Sequence, residues 1–196
     1  MHREGVMRAV TEAGGKRVDR VLFARVEHDS PISESKGFRS LLNSFLPRKR
    51  AIAQMLVRDP DGKVLMCGLT YKQDWDLPGG VVEVSESPHS AVAREIEEEL
   101  GLTLATGRLV LTDWLPPWGG WDDAVCLVFD GGVHDPSILE AAVLQTREIR
   151  TVEFCTTDQI RERAADFTTR RIEAALASLA GSGLPYTESG RQPGVS

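Results

Sequence analysis

The chain has 196 residues, a formal charge of −6 and a pI near 5.3, which is room for one domain with a good core and argues against a nucleic-acid backbone as its main partner. No apolar run approaches a membrane span, and the N-terminus lacks the apolar core of a signal peptide, so neither a membrane partner nor secretion is expected. Cys67, Cys126 and Cys155 fit no zinc or redox spacing and read as reduced, mostly buried thiols of a cytoplasmic protein.

Residues 1–48 read as an extension that is only partly ordered, with one strand in Arg17–Glu27 and a short helix in Phe38–Leu46. The basic run Pro47-Arg48-Lys49-Arg50 reads as a solvated linker. A domain is expected over 49–180. It opens with a mostly apolar strand at Ala51–Arg58, a turn at Asp59-Pro60-Asp61-Gly62 and a second strand at Lys63–Leu69. Ser87 and Pro88 predict a helix start, by side-chain cap and proline at the first helical position, and Gly101 predicts its end. Val92, Ile96 and Leu100 give that helix an apolar stripe. Strands are predicted at Gly107–Leu115, Ala124–Asp130 and Ile149–Cys155, a cap at Thr156-Thr157-Asp158 and a helix at Phe167–Leu179. Residues 181–196, rich in Gly, Ser and Pro, read as a flexible tail. Strands on both sides of a central helix, with another helix at the end, suit an α/β/α sandwich.

The central helix carries the chemistry. Glu95, Glu98 and Glu99 stand at i, i+3 and i+4 and share one face. Like charges at that spacing repel, and the last two sit near the helix C-terminus, where the macrodipole also disfavours them. Such a face suits a hard divalent cation, which takes oxygen ligands and shares them with substrate phosphates. The longer pattern is Gly80, five residues, Glu86, seven residues, then Arg94-Glu95-Ile96-Glu97-Glu98-Glu99-Leu100-Gly101-Leu102. It resembles the box of the Nudix hydrolase family at every fixed position.

The resemblance implies an α/β/α sandwich with a mixed central sheet, and hydrolysis of a nucleoside diphosphate derivative with Mg2+, or Mn2+ in its place. It implies Glu95, Glu98 and Glu99 as metal ligands, the backbone carbonyl of Gly79 as a further one, and Arg94 as the group that orients the acids. Glu86 would hold the loop. Ser85 stands where many members have glycine. The general base is expected among Glu98, Glu99 and an acid of a later loop; Glu148 is chosen there, with Glu140, Asp122 and Asp123 behind it. Trp114, Trp118 and Trp121, in a segment with Pro-Pro and Gly-Gly pairs, suit stacking of a nucleobase or, equally, core or interface packing; Trp75 could line the same pocket or pack beneath it. The Pro-Pro and Gly-Gly pairs suit a shaped loop with hinge-like ends. Pro117, fifteen positions after the box, stands roughly where ADP-ribose-hydrolysing members carry a proline, so ADP-ribose or a nucleotide sugar is favoured over a nucleoside triphosphate. A non-catalytic regulatory Nudix domain is the alternative from another class. Homodimers are common in the family, and the extension or the tryptophan segment offers an interface.

Overall fold

In the computed structural model, which describes residues 2–194, the chain divides between Arg48 and Lys49 into two units. The first consists of strand β1 (His2–Ala13), strand β2 (Lys16–Ala24) and helix α1 (Ser35–Phe45). β1 and β2 form an antiparallel hairpin, and Phe23 lies against Phe45 with ring centroids 5.3 Å apart. Sequence reading found β2 and α1 but not β1. Its apolar residues Val6, Met7 and Val10 are exposed and do not alternate, and the pairing slips between Met7 and Thr11, where Ala9 takes a positive φ of 52°. A strand with neither face buried leaves no period-two signature.

The second unit runs β3 (Arg50–Arg58), β4 (Val64–Leu69), β5 (Trp75–Asp76), β6 (Gly79–Val81), α2 (Pro88–Leu100), β7 (Leu109–Leu115), β8 (Ala124–Val133), a 3-10 turn at Pro136–Ala141, β9 (Ile149–Cys155), α3 (Thr157–Arg163), α4 (Asp166–Leu179) and β10 (Tyr186–Glu188). Its strands join in one mixed sheet of order β10-β7-β8-β3-β4-β5, with β6 added to β3 and β9 to β4. The β3–β8 and β10–β7 pairs are parallel and the others antiparallel.

Alternation along β3 sorts side chains to the two faces. Ala53, Met55 and Val57 join Ala91, Val92, Ile96 and Leu100 of α2 in one core. Ile52 and Leu56 join Ile160 of α3 and Ile172 and Ala175 of α4 in the other. The result is an α/β/α sandwich with α2 on one face and α3 and α4 on the opposite one. Helix α2 has the ends its sequence predicts: the Ser87 side chain accepts from the Ser90 amide, Pro88 opens the first turn, and Gly101 closes the helix at φ 64°.

The C-terminal stretch departs from the expected free tail. β10 pairs in register with Thr112–Trp114 of β7, and Thr187 is buried. Polar bonds, rather than an apolar pattern, hold it there. The three cysteines are free and buried, and among the described residues no helix is long and apolar enough to cross a membrane.

Candidate active site

Arg94 is the organising group on the α2 side. Its Nε and Nη2 donate to the two carboxylate oxygens of Glu86, at 2.9 and 3.1 Å. Its Nη1 donates to Glu95 Oε1 at 3.0 Å and to Glu98 Oε2 at 2.8 Å, and Nη2 reaches the Val81 carbonyl. The rigid guanidinium fork thus ties the loop to the helix and sets the rotamers of two acids. These bonds, that to Glu86 foremost, hold Arg94 well above the usual arginine range, and the same bond holds the Glu86 carboxyl below its ordinary value.

Glu99 is placed differently. It is only 6% exposed and accepts the Gly79 amide on Oε2 at 2.8 Å. Burial pushes its carboxyl up to about 8 against the opposing pull of the Gly79 amide, and the charges of Glu95, Glu148 and Asp76 push the same way. Glu95 is also raised, by burial first, with Arg94 pulling it back. The close approach of the loop needs Gly80: a Cβ there would come within 2.5–2.7 Å of the Glu95 carboxylate.

This donor set fits a divalent cation. The acids are oxygen ligands, burial raises the carboxyls of Glu95 and Glu99, and a nearby cation would favour their ionised forms. Among the described residues no group of three His, Cys, Asp or Glu side chains is placed so that it could hold a metal ion by itself. Magnesium does not require such a group, since it keeps water and phosphate oxygens in its shell.

Glu148 precedes β9 and is exposed, and its charge acts on both Glu95 and Glu99. The Thr70 amide donates to the Glu148 carbonyl at 2.9 Å, which ties the β4–β5 loop to this position. In that loop is Tyr71, which sequence reading did not single out. Tyr71 is 73% exposed, and partial desolvation of its phenol together with the charges of Asp76, Glu99, Glu148 and Glu95 raises it above the ordinary tyrosine value. Of the other acids considered, Asp123 is committed elsewhere, paired with Lys49 and accepting from Trp114 Nε1.

The four tryptophans do not share one surface. Trp118 and Trp121 are 69% and 60% exposed and line a groove of about 250 Å3 with Phe167 and Arg170 of α4, Arg50 and Pro116. The Gly-Gly pair between them is a tight turn rather than a hinge. Gly119 and Gly120 have φ of 57° and 90°, as a type I′ turn requires, and the Trp118 and Trp121 backbones bond to each other in both directions. Arg50 lies over the Trp121 ring at 4.7 Å and donates to the Asp122 carbonyl. Trp114 is half-buried on β7. Trp75, on β5, packs against the α3–α4 core, and the Arg163 guanidinium lies over its ring at 4.8 Å.

A family model described as "NUDIX domain" matches residues 47–176. The chain is 32% identical over 143 residues to a MutT-like protein of Streptomyces ambofaciens, covering 71% of this chain and 81% of that one. It is 37% identical over 81 residues to the nucleoside triphosphatase NudI of Escherichia coli O1:K1 / APEC, covering 39% of this chain and 52% of NudI, so it spans about half of that protein. The fold is that of the MutT protein from Methanosarcina mazei Go1, with a TM-score of 0.57 at 22% identity over 68% of this chain and 98% of that one. With the box acids gathered by Arg94 on α2 and the family model covering most of the second unit, the chain belongs to the Nudix hydrolase family.

Proposed function

We propose that this protein is a magnesium-dependent pyrophosphohydrolase that cleaves a nucleoside diphosphate derivative by attack of water at phosphorus. The observation that carries this reading is the Arg94 fork holding Glu86, Glu95 and Glu98 beside the buried Glu99. Glu95, Glu98 and Glu99, with the Gly79 carbonyl, would hold Mg2+, and Mn2+ in its place. The cation would neutralise phosphate charge and lower the pKa of a bound water. Arg94 keeps Glu95 and Glu98 in one orientation, so the acids are set before substrate arrives. Glu148, whose charge reaches Glu99, is our choice for the group that takes the proton from the attacking water, with Glu98 and Glu99 as the other candidates.

Trp118 and Trp121 would stack the nucleobase in their groove, with Arg50 and Arg170 beside it; Trp75 and Trp114 would shape the surroundings. The groove lies on the α4 side of the sheet, with Phe167 and Arg170, and the acids lie on the α2 side. Pro117 favours ADP-ribose or a nucleotide sugar as the substrate. A nucleoside triphosphate is the second reading, favoured by the similarity to NudI. The buried free thiols suit a reducing compartment, the cytoplasm, and a homodimer through the N-terminal unit or the tryptophan turn fits this picture.

The test is phosphate or nucleotide release from a panel of nucleoside triphosphates, ADP-ribose, nucleotide sugars and dinucleoside polyphosphates, with Mg2+ or Mn2+, beside Glu98→Gln. Release by the native chain, reduced at least about 100-fold in the variant, is the expected result. Silence across the panel with metal binding intact would favour the regulatory, non-catalytic domain.

A further inference from the structure

A second arginine-centred cluster lies on the opposite face of the sheet, and the box does not account for it. Arg171 of α4 is 2% exposed. Its Nε donates to Asp113 Oδ2 at 3.0 Å, its Nη1 donates to Gln54 Oε1 at 2.7 Å, and Asp76 Oδ1 lies 3.8 Å from Nη1. Asp113 is fully buried, and its other oxygen accepts from Thr187 Oγ1 at 2.7 Å and the Gly190 amide at 2.8 Å. The C-terminal segment is therefore bonded to the centre of the molecule through Asp113.

The other end of the cluster points at the box. Gln54 Nε2 donates to Asp76 Oδ1 at 2.9 Å and to the Leu77 carbonyl at 3.4 Å. Asp76 Oδ1 also accepts the Leu77 amide, and Lys72 Nζ donates to Asp76 Oδ2. The Met55 amide next donates to the Pro78 carbonyl, and Gln54 itself pairs with Gly79 across β3 and β6. The backbone from Asp76 to Gly79 is thus pinned by side chains on the α4 face at Asp76 and Leu77 and by β3 backbone bonds at Pro78 and Gly79, and on the α2 face its last residue gives its amide to Glu99.

We infer that Gln54, held by Arg171 and Asp113, is a positioning residue for the metal site: it sets the Asp76–Gly79 backbone and, through the Gly79 amide, the Glu99 carboxylate. This rests on the reading of Glu99 as a metal ligand. Burial of so many polar groups follows from this task, because a fully bonded network admits one arrangement where apolar packing admits several. Groups of this kind, acting on ligands through one intermediate, change metal affinity by about 10–100-fold when removed.

The test is Mn2+ binding by isothermal titration to the full chain, in Gln54→Met and in Asp76→Asn, with thermal unfolding measured alongside. Gln54→Met keeps the bulk of the side chain and deletes its bonds to Asp76, Leu77, Arg171 and Cys126; Asp76→Asn, which also removes a charge that acts on Glu99, is the second variant, should the first fail to fold. Val110→Ala, a core truncation on the same face, is the control for destabilisation alone. The expected result is Mn2+ affinity weakened about tenfold in the network variants and unchanged in Val110→Ala. Equal affinity in folded network variants and wild type would overturn the inference, as would an equal loss in Val110→Ala. No Mn2+ binding by the wild type would overturn the metal reading, and the inference with it.

Discussion

Two arginines gather carboxylates, one on each face of the same sheet, and their surroundings differ in solvent access and in charge balance. The Arg94 side chain is 29% exposed, and Glu98, one of its partners, is 58% exposed. Arg171 and Asp113 have side chains 3% and 0% exposed. Arg94 serves three acids and leaves them a surplus of negative charge, which suits the cation uptake proposed for this face. Arg171 is matched to Asp113, Asp76 and the Gln54 amide oxygen, all supplied by the protein. The guanidinium fork is the same in both places; solvent access and charge balance separate a site built to bind from one built to hold.

The comparison breaks most sharply under removal of each arginine. Arg171→Met leaves Asp113 buried without its cation, and the expected cost is about 3–5 kcal/mol of stability. Arg94→Met removes a partly exposed cation from acids of which only Glu98 is well exposed, and the expected cost is smaller, about 1–2 kcal/mol, with turnover falling because Glu95 and Glu98 lose their orientation. Urea unfolding of the two variants side by side measures the difference. Equal losses would mean that burial does not distinguish the clusters.

Acid sharpens the same contrast. Burial works against ionisation of Asp76, but the charges of Arg171 and Lys72 and hydrogen bonds from Lys72 and Gln54 more than offset it, so its carboxyl lies below the usual range. A carboxylate with a lowered folded pKa contributes stability that is fully present above its unfolded value, about 3.9, and is lost as pH falls through the folded value. The expected outcome is a urea midpoint that drops steeply below about pH 4, and a flatter profile in Asp76→Asn. A profile unchanged by that substitution would remove Asp76 from the account of acid sensitivity.

The two clusters also differ in how far the sequence discloses them. Everything around Arg94 is local. Glu86, Glu95 and Glu98 lie within eight residues of it, and Ser87, Pro88 and Gly101 mark the helix that carries the acids, so helical spacing showed the acid face and the resemblance to the Nudix box added Arg94 and Glu86. Arg171 meets Asp113 across 58 positions and Gln54 across 117. Nothing in the neighbourhood of any of the three foretells the meeting, because each sits on a strand or helix whose pattern is otherwise ordinary. The same holds for β10: Tyr186–Glu188 has no apolar run, and its place in the sheet depends on Thr187 finding Asp113. At the tryptophan turn the residues were visible but their φ values were not, so a rigid turn read as a hinge.

The smallest effect is expected at Ser85, in the loop that Arg94 clamps through Glu86. Its φ is 70°, a left-handed conformation that costs an ordinary L-residue about 1–2 kcal/mol. Glycine would remove that strain and give back about 0.5–1 kcal/mol as extra freedom in the unfolded chain. Ser85→Gly is therefore expected to raise stability by up to about 1 kcal/mol, read as a shift of the urea midpoint, while turnover stays within about twofold because the Glu86–Arg94 bonds are untouched. Ser85→Ala separates strain from side-chain chemistry: it keeps the Cβ and loses the hydroxyl, so it should bring no gain. A gain in alanine equal to that in glycine would show that the hydroxyl, and not the backbone, is the source of the cost. A gain in glycine alone would locate residual strain in the loop beside the acids, on the α2 side of the sheet.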